Sequence, residues 1–455
     1  MKITATAKAL TAGLSFVGRA AAKQGGNAPH LTSVLFEASR ETGLTTMCAT
    51  DAEIAASLTS TAPKIKKSGK AALPVRTLSD LIGRIDPEKE VALEATENEV
   101  TLTVGDAGNH YSLRAAKAGE FPPLPEFPLG AEESFSLKAR TLREAIRRVS
   151  PAASTDDSRP VLGGLLFSFE SEGQADEANG TNKADGAAAG GATNQDEVAP
   201  AGEASKHSTA LNVVATDSYR MTVAEDRSER IAHSPCKAVV PARALKEAVR
   251  LCSLGPERVE VALTRDSAFF RVGGVMLSTR LIAGSFPEYR RLLPEDEAFE
   301  HTYAVDAADL LDVLKRANLF AARQSPPAPV RLTFDASRGV LSVSVESEAV
   351  GSALESLPAK VLDPVWTDGG KDRGENFEIL FNPTFLTDAV KSCSGAGEGA
   401  SGDAAGVVFR MNAAHKPAVL EPRLEENGDA DETFGATLKC LIMPMADPRP
   451  KEASS

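Results

Sequence analysis

Apolar residues recur at helical spacing in six separate stretches. Over 138–149, Leu142, Ala145, Ile146 and Val149 stand at i, i+3, i+4 and i+7, which makes one apolar face. Leu245, Ala248, Val249 and Cys252 repeat that pattern over 241–252. Leu78, Leu81, Ile82 and Ile85 do so over 75–85, and Leu10, Gly13, Leu14 and Val17 over 7–23. Two further helices are predicted over 306–323 and 382–393. Short apolar or alternating runs such as VLGGLLFSF, LNVVAT and VVFRM lie between them and predict strands. Residues 171–208 break the pattern. They hold no aromatic, Leu or Ile, and seven acids against two lysines, too little apolar surface to offset the entropy of ordering. A disordered insertion is predicted there, and a shorter one at 394–406 (SGAGEGASGDAAG). Both are expected to replace hairpin turns, because strand-like runs flank them.

The pattern is internally repeated. ATDAEIAASL (49–58) matches ATDSYRMTVA (215–224), ALPVRTLSDLIGRI (72–85) matches AVVPARALKEAVRLC (238–252), and AKAGEFPPLPEFP (116–128) matches LIAGSFPEYRRLLP (281–294). Thr50 to Thr216, Pro74 to Pro241 and Phe121 to Phe286 are offset by 166, 167 and 165 residues, nearly one period. ILFNPTFLTDAVKSC (379–393) is a fainter third copy. The chain therefore divides into three similar units, 1–130, 131–297 and 298–455. Each has a strand, a helix, strands, a second helix introduced by a proline, and more strands. That mixture predicts α+β units with antiparallel sheets.

Charge sharpens the picture. The 455 residues carry a net charge of −13, which taken whole argues against a simple nucleic-acid binder. The six predicted helices, however, hold 17 Lys or Arg against 7 Asp or Glu, which leaves −23 for the remainder. Arg140, Arg143 and Arg147 lie opposite the apolar face of their helix; Arg243, Lys246 and Arg250 take the same relative positions in theirs. One such face is commonly a solvated surface. A template repeated in an acidic chain points to contact with a polyanion through a defined surface. Aromatics are 5% with a single Trp, and no helix-turn-helix, zinc finger or basic zipper pattern occurs, so phosphate contact without base readout is expected.

No reaction centre stands out. Asp51 and Asp217 follow threonines at predicted strand ends, where a turn-forming Thr-Asp is the better account than a catalytic carboxylate. The six histidines have no metal-ligand spacing, and GAGEGASG follows a helix where a phosphate-binding loop precedes one. No metal and no cofactor are expected. The five cysteines are scattered without a CxxC, which predicts reduced, mostly buried thiols and a cytoplasmic location. Apolar runs are too short to span a membrane, and Lys8 interrupts the N-terminal one, so no signal peptide is expected. LKCLIMPMADP (438–448) ends an apolar run in Met443-Pro444-Met445, adaptable side chains suited to binding several peptides.

RPVLGGLLFSF, VVATDSYRM, TRLIAGSFPEYRRLLP and LIMPM, in that order, resemble the bacterial DNA polymerase III beta subunit, the sliding-clamp family. The resemblance spans nearly the whole chain outside the two insertions and the tail after Met445. It implies a DNA clamp fold: a ring-shaped, head-to-tail homodimer with antiparallel sheets outside and helices lining a central hole around double-stranded DNA. It implies a non-catalytic processivity factor in DNA replication. Arg76, Lys23 and Arg159 match DNA-contacting positions and join the helix cations Arg140, Arg143, Arg147, Arg243, Lys246 and Arg250. A cleft for short peptide motifs of the replicative polymerase, clamp loader and repair proteins is expected at Leu162, Thr216, Ser218, Tyr219, Arg220, Met221, Pro241, Leu245, Leu441, Ile442, Met443, Pro444 and Met445. Ser218 and Tyr219 replace the Gly and His common in the family. The dimer edge is expected to pair Tyr111 and Leu113 with Leu319 and Phe320. A metal-dependent phosphodiesterase using Asp51 or Asp217, and a scaffold for acidic proteins, are the competing accounts.

Overall fold

The computed structural model describes residues 1–455 except 25–27, 97, 106–107, 129–133, 172–207, 233–235, 295–298, 324, 363–375, 395–405, 424–435 and 448–455. One order of elements occurs three times, with one extra strand, β5 (Lys64–Lys67), in the first unit. The first unit comprises β1 (Lys2–Thr6), α1 (Ala7–Val17), β2 (Ser33–Ser39), β3 (Leu44–Thr50), β4 (Ile54–Ser60), β5 (Lys64–Lys67), β6 (Gly69–Pro74), α2 (Val75–Ile82), β7 (Glu90–Ala95), β8 (Glu99–Val104) and β9 (Asn109–Arg114). The second comprises β10 (Ser134–Lys138), α3 (Ala139–Val149), β11 (Gly164–Ser171), β12 (Ser208–Thr216), β13 (Arg220–Ala232), β14 (Cys236–Pro241), α4 (Ala242–Cys252), β15 (Arg258–Leu263), β16 (Ser267–Val272) and β17 (Val275–Arg280). The third comprises β18 (His301–Asp306), α5 (Ala307–Ala321), β19 (Val330–Asp335), β20 (Val340–Ser347), β21 (Gly351–Val361), β22 (Phe377–Phe381), α6 (Pro383–Ser394), β23 (Gly406–Met411), β24 (Ala418–Arg423) and β25 (Ala436–Ile442).

The helices start where their caps dictate. Thr6 accepts from the Ala9 amide (3.2 Å) and Asp306 from the Asp309 amide (2.9 Å). Asn382 accepts from the Thr384 and Phe385 amides. Pro74 and Pro241 are themselves the cap residues of α2 and α4, whereas Pro383 is the first residue of α6. The predicted apolar faces are buried: Leu142, Ala145, Ile146 and Val149 in α3, and Leu245, Ala248 and Cys252 in α4. Strands alternate as a half-buried sheet requires; β19 reads buried, half-buried in strict turn over Val330–Asp335.

All described strand pairs are antiparallel, and the sheets cross the unit boundaries. β4 of the first unit pairs with β17 of the second, and β13 of the second with β25 of the third. Eight- and twelve-stranded sheets result, in the orders β10-β15-β16-β17-β4-β3-β2-β6 and β14-β11-β12-β13-β25-β24-β23-β18-β21-β20-β19-β22. The first unit also holds a five-stranded sheet, β5-β1-β7-β8-β9, with β9 at its edge. α1 packs on α2, α3 on α4, α5 on α6, and α3 on α6 across a boundary. The helices thus form one layer against the sheets, and Phe167, Phe270, Phe334 and Phe409 fill the core between.

The stretch at 171–208 lies almost wholly outside the described residues. Its flanks β11 and β12 pair directly, Ser171 with Thr209, so it does replace a hairpin turn. The stretch at 394–406 does not. It joins α6 to β23, because the strand-like run on its N-terminal side is followed by the helix before the insertion begins.

Candidate functional site

The predicted cations lie on the helices, except Lys23 and Arg159 in flanking loops, and Arg143, Arg147, Arg243 and Arg250 each stand beside a carboxylate. Lys23, Arg76, Arg140, Arg243, Lys246 and Arg250 are exposed. Arg143 and Arg147 are half-buried on either side of Glu144, 3.4 and 3.3 Å from its carboxylate, and Arg148 reaches it at 3.7 Å. Arg250 pairs with Glu247, Lys315 with Asp312 (2.8 Å) and Arg316 with Glu355 (2.6 Å). Arg243 reaches back to Asp51 (2.5 Å) across the first boundary. Arg159 donates to Ser218 Oγ (3.0 Å), which ties it to the turn between β12 and β13.

The Thr-Asp turns are built alike. Thr216 Oγ1 donates to the Arg220 carbonyl (2.7 Å), and Asp217 accepts from the Tyr219 and Arg220 amides (2.9 and 3.0 Å). Thr50 and Asp51 do the same for Ile54 and Glu53. The next residue is left-handed in both, φ 78° at Ser218 and at Ala52. Both aspartates therefore serve their own turns. Arg220 extends the second turn into a junction: its Nε reaches Asp217 (3.0 Å), its Nη1 reaches Asp388 of α6 (2.7 Å), and its guanidinium lies 4.4 Å from the Phe385 ring centre. Among the described residues no three His, Cys, Asp or Glu are grouped to hold a metal ion. The cysteines carry free thiols. Burial pushes the Cys252 thiol up to about 12 and those of Cys48 and Cys236 to about 11, so none of these three is a ready nucleophile.

The sheet face away from the helices carries a second apolar cluster at the boundary of units two and three. Met221 pairs with Leu441 there, and Leu166, Val214, Val223, Val239, Tyr289 and Val419 surround them. Tyr219, Leu292 and Met443 stand at the surface, 65%, 54% and 41% exposed. The Met443 amide donates to the Tyr219 carbonyl (2.9 Å), and the Met445 amide to the Leu380 carbonyl (2.8 Å), which fixes the Met-Pro-Met segment. Thr216, Ser218, Tyr219, Met221, Leu441 and Met443 are thus brought together; Leu162 is buried and Pro444 half-buried.

Two expected members, Leu245 and Ile442, pack in the helix-side core and not in this cluster. Leu245 is fully buried under α4, because it belongs to the apolar stripe that packs on the sheet. Ile442 is 1% exposed on the helix side, since alternation along β25 turns it away from Leu441. Pro241 caps α4. Sequence reasoning missed Ile282, Phe286, Tyr289 and Leu293, from the segment after β17 that covers this face. A cavity of about 500 Å³ lies beneath that segment, lined by Leu166, Val239, Ile282, Phe286 and Tyr289 among others. The clue was present: this segment is TRLIAGSFPEYRRLLP, apolar without strand or helix periodicity. At the free edge, Tyr111 is 40% and Leu319 65% exposed, while Leu113 and Phe320 are half-buried.

Three like units joined by continuous sheets, with one helix layer and an apolar cluster on the opposite face, define a sliding-clamp fold. Domain models of the DNA polymerase III beta subunit match along the chain: the N-terminal domain over 1–125, the central domain over 203–288 and the C-terminal domain over 290–433. The chain belongs to the DNA polymerase III beta subunit family. The beta sliding clamp of Synechococcus elongatus is 27% identical over 427 residues, covering 93% of this chain and 96% of that protein. That of Streptomyces coelicolor is 26% identical over 425 residues, with 92% of each covered. A sliding clamp from Bartonella birtlesii, solved bound to griselimycin, superposes with a TM-score of 0.75 at 21% identity over 98% of this chain and 100% of that one. The Caulobacter crescentus clamp gives 0.75 at 22% over 98% and 99%.

Proposed function

We propose that two copies of this chain close head to tail around duplex DNA and act without catalysis as a processivity factor. The ring slides on phosphates with no base readout, and it tethers the replicative polymerase, clamp loader and repair proteins through the Met221–Leu441–Met443 cleft.

The observation that carries this proposal is an unfilled place in a series of strand pairs. Counting along the ladders from the caps of the first helices puts Tyr111 in β9, Leu277 in β17 and Cys440 in β25 at one place. Counting from the caps of the second helices puts Ala56 in β4, Thr222 in β13 and Ala353 in β21 at another. Leu277 faces Ala56 and Cys440 faces Thr222. Both counts agree at both boundaries, so one register describes them. The third member of the series is Tyr111 opposite Ala353 of a second copy. Two such pairings, one at each end, close a ring. A head-to-tail contact with this rotation repeats once and then closes.

Light scattering on the eluting protein tests the dimer: twice the chain mass is expected, and a monomer at micromolar concentration refutes it. A Tyr111→Cys, Ala353→Cys variant is expected to form a disulfide between copies and to become trapped on circular DNA. For the cleft, griselimycin, the ligand of the Bartonella relative, is the probe. Met443→Ala is expected to weaken its binding by about 1–2 kcal/mol, the range of one hot-spot contact. Unchanged affinity refutes the cleft assignment.

A further inference from the structure

The helix layer carries a second repeated template besides its cations. Six residues past the cap stands an acid in five of the six helices: Asp80, Glu144, Glu247, Asp312 and Asp388. Nine past the cap stands a base in four: Arg147, Arg250, Lys315 and Lys391. Only α1 has neither, with Ala12 and Ser15 at those places. The acid and base lie one turn apart, and three pairs are made: Glu144 with Arg147, Glu247 with Arg250 and Asp312 with Lys315. Asp388 bonds Arg220 of the neighbouring unit instead. Glu144 is the extreme case, 8% exposed with three arginines within 4 Å.

We infer that Glu144, Glu247 and Asp312 are positioning residues that hold back the cations of the helix layer and so keep its grip on DNA weak. This rests on the encircling proposal above. An exposed acid–base pair one turn apart stabilises a helix by only a few tenths of a kcal/mol. Such a gain could be had anywhere along an exposed face, and it gives no reason for the same place in three successive helices. A polyanion-facing surface does give one. Each cation that must leave a carboxylate to meet a phosphate makes a weaker phosphate contact and releases fewer counterions on binding. A ring held by threading needs no strong contacts, and strong ones would pin it at each phosphate step. The net positive charge of the layer is kept for attraction while each contact is made easy to exchange.

The test is the salt dependence of binding to a short DNA duplex, measured with the full chain. Glu247→Gln with Asp312→Asn alters the half-buried Glu247 pair and the exposed Asp312 pair and leaves the Glu144 cluster in place; a third variant adds Glu144→Gln, with thermal unfolding as the check on the fold of each. Each cation released to a phosphate is expected to steepen the slope of log K against log salt by about 0.9, an extra loss of roughly 3- to 4-fold between about 50 and 200 mM salt. Affinity at low salt is expected to rise, and diffusion of the loaded ring along DNA to slow. Glu247→Asp, which keeps the charge, is expected to keep the wild-type slope. Unchanged slopes in the folded double variant overturn the inference, as does a fall in affinity, which would mean that the acids aim the cations at phosphates. Equal loss of the wild-type protein from linear and circular DNA overturns the encircling proposal instead, so the two failures are distinguishable.

Discussion

Replacing Tyr111 by Ala probes the closure of the ring through one side chain. Its counterparts Leu277 and Cys440, at the two junctions made within the chain, are each 1% exposed, whereas Tyr111 is 40% exposed in the single chain. Pairing with a second copy is expected to bury that remainder. A tyrosine contributes about 150–250 Å² when buried. The part still open is therefore roughly 60–100 Å², worth about 1.5–2.5 kcal/mol at about 25 cal/mol per Å². A closed ring has two such junctions, so the loss is about 3–5 kcal/mol, or two to four powers of ten in the dimer dissociation constant. Sedimentation velocity over a dilution series measures this directly. Tyr111→Phe, which keeps the apolar area, is expected to stay close to wild type. A Tyr111→Ala dimer that dissociates at the wild-type concentration would refute the register and the edge on which it rests.

Arg143→Glu with Arg250→Glu is expected to abolish measurable duplex binding at moderate salt without changing the dimer; full binding by the reversed variant would remove the helix layer from DNA contact. Arg220→Ala leaves Asp217 and Asp388 facing each other across the junction of units two and three without their shared cation. A loss of about 3 kcal/mol in chemical unfolding is expected, near the lower end for breaking a buried pair because Asp388 is 27% exposed. Iodoacetamide at pH 8 is expected to leave Cys48 and Cys252 of the folded chain largely unmodified, since burial holds both in the thiol form to about 11 and 12, and to modify all five cysteines in denaturant. Fast labelling of the native thiols would contradict that burial.

Much of this architecture was legible in the sequence because it rests on local periodicity and on repetition. The stripe Leu142, Ala145, Ile146 and Val149 needs only the helical period to show which side is buried. The Thr-Asp turns and the proline caps recur because each unit must turn and start a helix at the same points. What escaped depends on contacts distant in sequence. LKCLIMPM is plainly apolar, but only the pairing of β25 with β13 decides that Leu441 faces the outer apolar cluster and Ile442 the core. The family resemblance puts Leu245 in the cleft beside Pro241, whereas its own helical stripe assigns it to the interior. The partners of Arg243 and Arg220 come from neighbouring units, Asp51 and Asp388, and no spacing rule reaches across 168 residues. Phe286 and Tyr289 lie in an irregular segment, where neither periodicity gives a direction.

Retention on DNA of different topology tests the central claim most directly. Protein loaded onto a nicked circular plasmid and passed through a sizing column should stay with the circle, and should be released once the plasmid is cut at a single site. Release from the intact circle at the same rate, or retention on the cut one, would contradict a ring that holds by encircling.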